Sequence, residues 1–383
     1  MAKDIFPLTI AEGYAFCNRT TQQKELYEHM DKSRAVVLLA PRRYGKSSLI
    51  HKVCNNWEND TNKLVTSTTL FHACDLQSTI DIIITAAHAL LDKIIPTIST
   101  ANMGRIFSQL KKLNITAKMD GTSGWSYGLQ ISETQQTPES LITLLKQLDD
   151  AAKKFDVQCC FVMDEFQQIA TLKDHFSIEA AIREAVQNAS NISYVFSGSN
   201  RNMLRLMFED SARPFYHQCQ KMMLDRISEK HYINHLQEIA KSKWGKESDL
   251  SLIKRIFELT ERHPFYINYL CSKVWEGTRS PSLSDINNAW ASICKAEKND
   301  VLLSMNKIST GQRTILIALA RKPESELFSH RFSTSVNMPQ SSIQRASKQL
   351  EQDDLIYQDD MGQWLPLDPC LKTMVANNAY LHL

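Results

Sequence analysis

The residues with the clearest chemical potential are Ala40-Pro41-Arg42-Arg43-Tyr44-Gly45-Lys46-Ser47. They fit the phosphate-loop pattern GxxxxGK[ST], with Ala40 in the first Gly position. A loop of this kind captures anions, because its backbone N–H groups and the positive end of the following helix point at a phosphate. Lys46 would neutralise charge on the β- and γ-phosphates, and the Ser47 hydroxyl would bind Mg2+. The candidate binding stretch runs from Ala40 through Ser48. A second constellation is Asp164-Glu165, preceded by the apolar run Cys160–Met163. Asp164 would hold Mg2+ through its water shell. Glu165 has the chemistry of a general base, or of a group positioning water, for attack on a γ-phosphate. A third is Ser197-Gly198-Ser199-Asn200. Ser199 and Asn200 could hydrogen-bond a γ-phosphate or the attacking water, or could form an ordinary turn and helix cap.

These groups can converge only if a sheet carries them. The short apolar runs 35–40, 64–75, 158–165 and 192–200 read as buried strands. Helical patterns separate them, at 47–57, from Ile80 to about Pro96, at 138–154 and at 177–189. Alternation of this sort predicts an α/β domain with a largely parallel sheet. Such a sheet binds ligands outside the carboxyl ends of its strands, where the motifs fall. Residues 97–137 hold Gly104, Gly121, Gly124 and Gly128 and read as an insertion containing a hairpin. From about Met222 to Lys298 the pattern is helical. From about Ile308 it gives three helices and then a hairpin with its tip at Asp359–Gly362, the order of a winged helix.

The composition narrows the field. The chain has 383 residues, enough for two or three domains. Only 11 are Gly, so the count predicts a helix-rich chain and makes each glycine worth placing. With 44 basic and 42 acidic residues, the formal net charge of +2 excludes polyanion binding over the whole surface. Nine scattered cysteines lack any disulfide or zinc-like spacing. Cys159 and Cys160 read as buried free thiols. No signal peptide is read at the N-terminus, and the apolar stretch Ile80–Ile95 is too interrupted by charge to span a membrane. The expected location is a reducing cytoplasm.

The loop APRRYGKSSLI and the segments CCFVMDEFQQI and YVFSGSN, in that order and spacing, resemble the archaeal/bacterial ATPase family of the AAA+/STAND class. Two flanking segments are similar as well. AFCNRTTQQKEL (15–26) resembles the family's F-x-G-R-x-x-E segment, with Asn18 in the Gly position and Arg19 retained. TERHPFY (260–266) resembles the G-x-H-P-[FY]-Y motif of a helical lid, with Arg262 in the Gly position and His263 and Pro264 retained. The resemblance implies an ASCE-type sheet, ATP as nucleotide, and Arg19, His263 and Pro264 beside it. It implies an N-terminal arm and helix (1–33), an ATPase core (34–222), a helical lid (223–300) and a winged-helix domain (301–383). Arg201, Arg205 and Arg213 are candidates for an arginine finger.

The reaction expected is Mg2+-dependent ATP hydrolysis, run by a switch that acts in signalling or defence on a protein effector or on itself. A DNA-acting ATPase of replication-initiator layout stays open. In that case Gln340, Ser341, Gln344, Arg345 and Lys348 of the third C-terminal helix would face DNA. A nucleotide-binding scaffold with little turnover is a third reading. No membrane partner is expected.

Overall fold

A computed structural model describes residues 4–95, 108, 110–111, 113, 115–120, 124–129, 137–359 and 361–377. Gly104, Gly121 and Pro96, named above, lie outside the described residues. The chain forms two compact units. One comprises 19–42 and 46–224, the other 1–18, 43–45 and 225–383.

The first unit contains α1 (Thr20–Asp31), β1 (Val36–Leu39), α2 (Lys46–Glu58), β2 (Lys63–Thr69), α3 (Leu76–Ile94), β3 (Ile115–Asp120), β4 (Gly124–Leu129), α4 (Pro138–Lys154), β5 (Gln158–Asp164), α5 (His175–Asn188), β6 (Ile192–Ser197), α6 (Arg201–Glu209) and β7 (Gln220–Met223). Five strands make an all-parallel sheet in the order β2-β5-β6-β1-β7. Every residue of β1 and β6 is buried, as expected of strands covered on both faces. The expected separation of the Glu-bearing strand from the phosphate-loop strand is present, with β6 lying between β5 and β1. The register pairs Leu38 with Ser197, Phe196 with Met163, and Thr69 with Asp164. The carboxyl ends of these strands are therefore level.

Local chemistry sets the boundaries. The expected strand 64–75 ends early, at Thr69, and α3 starts at Leu76 rather than Ile80. Asp75 and Ser78 form a reciprocal capping box that starts the helix there. Thr137 and Ser140 cap α4 in the same way, with Pro138 in its first turn. The carboxylate of Asp149, on α4, accepts backbone N–H bonds from Asn191 (2.8 Å), Ile192 (3.0 Å) and Ser190 (3.1 Å). A buried acid thus fastens the start of β6, the strand that carries Ser197. The expected hairpin of the insertion is β3 paired with β4, and Tyr127 N donates to Asp92 of α3 at 3.2 Å. Beyond Asp164 an aromatic cluster forms the floor. Phe166 packs on Phe196 (4.4 Å between centroids), Phe215 (5.4 Å) and Phe208 (5.9 Å).

The second unit holds α7 (Glu229–Trp244), α8 (Leu250–Thr260), α9 (Pro264–Val274), α10 (Leu283–Ala296), α11 (Lys298–Asn306), α12 (Thr310–Arg321), α13 (His330–Val336), α14 (Gln340–Gln352), β8 (Ile356–Gln358), β9 (Trp364–Pro366) and α15 (Pro369–Ala376). The N-terminal arm belongs to it. Phe6 packs edge-on against Trp275, and Asn268 donates to the Pro7 carbonyl at 3.0 Å. One apolar cluster runs from Phe6 through Ile253, Leu270 and Ile293 to Leu316, Ile343 and Leu371. The C-terminal part shows three helices followed by the antiparallel pair β8-β9, with a further bridge between Glu324 and Trp364. That bridge, and the Ser329 cap, shorten the expected helix 325–336 to α13.

Candidate functional site

Ala40 is fully buried at the end of β1, and its φ is not positive. The first position of the loop therefore needs a small residue and not the freedom of glycine. Gly45 is the opposite case. Its φ is +85°, and a Cβ there would meet nothing within 4 Å, so conformation alone selects glycine. Lys46 is buried as the first residue of α2, and its ammonium donates to the carbonyls of Ala40 (3.0 Å) and Pro41 (3.2 Å). Ser47 is exposed and Ser48 buried; Pro41 is buried and Arg42 exposed.

At the ends of β5 and β6 the expected acids and hydroxyls come together. Ser197 Oγ donates to Asp164 Oδ1 at 2.5 Å, and the same oxygen accepts from Glu165 N at 3.0 Å. Glu165 has φ +55°. Its Oε2 accepts from Ser199 Oγ at 2.9 Å and from Ser199 N at 3.4 Å. A further donor is the Gln167 amide. Asn200 sits one residue on, and its side chain caps α6 by accepting from Met203 N at 3.0 Å. Asn200 therefore makes the helix cap that its residue type allows.

The tip of the loop, Arg43 to Gly45, clusters with the second unit. Arg43 lies over the Phe265 ring at 4.1 Å and pairs with Glu297 at 3.4 Å. The Tyr44 ring meets His263 edge-on at 4.9 Å. Its hydroxyl accepts from Arg226 Nε at 3.1 Å. Arg226 also donates to the carbonyls of Glu261 and Leu367, and its plane lies over Tyr357. Sequence motifs miss Arg226, because its partners are up to 182 residues away. Its isolation in the sequence offers no signal.

His263 precedes Pro264, the first residue of α9, and is 5% exposed. It is wedged between Tyr44 and Tyr266. Its Nδ1 is buried without a hydrogen-bond partner. Burial, with the positive charges of Arg226 and Arg43 adding to it, holds its pKa well below the usual imidazole range. His263 is therefore neutral at pH 7. Arg19, also buried, precedes α1 with φ +63°. Among the arginine-finger candidates, Arg213 is occupied within the chain. It pairs with the fully buried Glu179 and lies over Phe176. Arg205 pairs with Glu209 at 3.3 Å. Arg201 opens α6. On α14, Gln340, Ser341, Gln344, Arg345 and Lys348 are exposed, and Ile343 and Leu350 are buried.

The donor set suits a nucleoside triphosphate with Mg2+. A buried ammonium stands within the anion loop, the exposed Ser47 follows it, and paired acids lie at the end of β5, with β6 between that strand and β1. Among the described residues no cluster of three or more His, Cys, Asp or Glu could hold a metal by itself.

The fold defined by this sheet order and loop is that of the P-loop ATPases, with helical and C-terminal parts following the core. The Walker-type ATPase PABY2304 of Pyrococcus abyssi is similar over 97% of this chain and 99% of its own, at 15% identity and a TM-score of 0.67. The ORC2 protein of Aeropyrum pernix, in ADPNP and ADP complexes, matches over 100% of this chain and 99% of its own. It is 13% identical, with a TM-score of 0.55. No protein-family model matches the sequence, and no curated protein does.

Proposed function

We propose that this protein binds ATP with Mg2+ and hydrolyses it. The observation that carries the reading is the pairing of a phosphate loop ending in Lys46-Ser47 with Asp164-Glu165 two strands away, their strand ends level across β6. In this reading Ala40 to Ser48 surround the phosphates. Ser47 and Asp164 hold Mg2+, which would neutralise charge on the phosphates. Glu165 orients and deprotonates the attacking water, and Ser199 holds Glu165. Asn200 belongs beside the γ-phosphate, and Arg19, His263 and Pro264 beside the nucleotide. The Arg226 contacts to Tyr44, Glu261 and Leu367 support a switch in which nucleotide state is felt by the lid and the C-terminal winged helix. A role in signalling or defence, with a protein effector or a second copy as partner, is the STAND-type form of this proposal. Nine free cysteines, and no described helix long and apolar enough to cross a membrane, support a cytoplasmic setting.

The test is a pair of substitutions. Lys46→Ala should abolish binding of a fluorescent ATP analogue. Glu165→Gln should keep binding and lower turnover by about 10²-fold or more, the scale of a lost general base. Retained binding in the first variant, or unchanged turnover in the second, would overturn the assignment.

The exposed row Gln344, Arg345 and Lys348 on α14, with the ORC2-like layout, favours a second reading as a DNA-acting ATPase. A scaffold that binds nucleotide with little turnover would show binding without a single-turnover product.

A further inference from the structure

The site contains a buried amide that the phosphate-binding motifs leave unassigned. Gln167 lies two residues beyond Glu165, in the short 3₁₀ helix Phe166–Thr171, and is 4% exposed. Phe166 and Ile169 on the same turn are fully buried, so its backbone is anchored in the aromatic floor. The Gln167 amide nitrogen donates to Glu165 Oε2, the oxygen that also accepts from Ser199 Oγ and Ser199 N. A carboxylate only accepts, so the nitrogen must be the end turned towards it. The amide oxygen then faces Gly198. A Cβ on Gly198 would overlap Gln167 Oε1 and lie 2.9 Å from Gln167 Cδ. Gly198 does not have a positive φ, so glycine is needed here for space and not for conformation.

These facts exclude a filler role. A primary amide costs free energy to bury unless it is bonded. An apolar side chain of similar length, such as Leu or Met, would carry no such cost. The amide is bonded at one end to the acid, and its oxygen has no hydrogen-bond partner in the place Gly198 leaves for it.

We propose that Gln167 is a positioning residue for Glu165: with Ser199 it occupies one carboxylate oxygen, fixes the side chain in one orientation and leaves Oε1 to address water, and Gly198 is glycine because the amide fills the space of its side chain. The inference rests on the reading of Glu165 as the group that activates water.

Two experiments on the full chain test it. In the first, thermal unfolding is compared for Gly198→Ala, Gln167→Ala and the double variant. Gly198→Ala should lower the melting temperature by several degrees in the parent. It should cost much less in the Gln167→Ala background, where the nearest remaining atom to the added methyl is Leu204 Cδ1 at 3.2 Å, the end of a flexible side chain. Additive losses would overturn the steric link. In the second, steady-state ATP turnover is measured for Gln167→Met, which keeps the length and removes the donor. The expected result is a fall in kcat of about tenfold or more with KM within about twofold, because a mispositioned group weakens the reaction and not the binding. A kcat within twofold of the parent would overturn the positioning role. A parent protein without ATP turnover would sink the ATPase reading and this inference together. A turning-over parent with an unaffected Gln167→Met would sink this inference alone.

Discussion

At the scale of residues, three positions where the resembling family has glycine are occupied here by Ala40, Asn18 and Arg262. The structure separates them. Asn18 (φ +49°) and Arg262 (φ +58°) take the left-handed conformation that glycine adopts without cost, and Ala40 does not. Asparagine tolerates this region, whereas arginine pays about 1–2 kcal/mol for it. Arg262→Gly should therefore stabilise the protein by about 0.5–1 kcal/mol, the relief offset in part by the freer unfolded chain. Ala40→Gly should destabilise it by about 1 kcal/mol, through a lost buried methyl and added backbone freedom. Chemical denaturation of the two variants checks the pair, and shifts of the same sign would contradict the distinction. Glycine replacement was visible in the sequence at all three sites. Which of them carries strain was not, because φ is set by where the chain must turn.

At the scale of elements, the runs AVVLL, CCFVM and ISYVF were legible because a strand buried on both faces must be continuously apolar. Strand β7, Gln220–Met223, was not. Only Met222 of its four residues is buried, so no apolar run marks it. Its pairing with β1 makes it a strand. The helices of the second unit were legible by period, but the surroundings of their histidines were not. His235 on α7 is pushed down to about 4 by burial. His263, before α9, is held well below its usual range by burial and by Arg226 and Arg43. Both are neutral in the fold, whereas the unfolded chain takes up a proton on each near pH 6.5. Their pKa values are depressed on folding, so stability is fully present above pH 6.5 and falls as pH drops below it. His235 alone should cost about 2 kcal/mol at pH 5 relative to pH 8. Unfolding followed by tryptophan fluorescence should show this loss, and His235→Phe should reduce it. An equal acid sensitivity in His235→Phe would show that the loss arises elsewhere.

At the scale of the whole molecule, the question is what the nucleotide cycle would drive. A near-neutral chain can still bind DNA through a local patch, and α14 is the face to judge. Its exposed residues Gln340, Ser341 and Gln344 could read base edges. Its cations Arg345 and Lys348 are the phosphate-neutralising groups, and the exposed Glu351 opposes them. Binding affinity to duplex DNA falls with salt by a log–log slope of about −0.9 for each phosphate neutralised. Two cations on the helix therefore allow a slope near −2. A protein that contacts about 6–10 phosphates shows a far steeper dependence. We expect fluorescence anisotropy on a labelled duplex, measured between about 50 and 200 mM salt, to give weak binding with a slope no steeper than about −2. Arg345→Ala/Lys348→Ala should flatten it. That outcome would count against the DNA-acting reading. Tight binding with a slope of about −5 or steeper would require cations beyond α14 and would favour the DNA-acting reading over the switch. The opposing charge of Glu351, three residues beyond Lys348, makes the shallow slope the expected result.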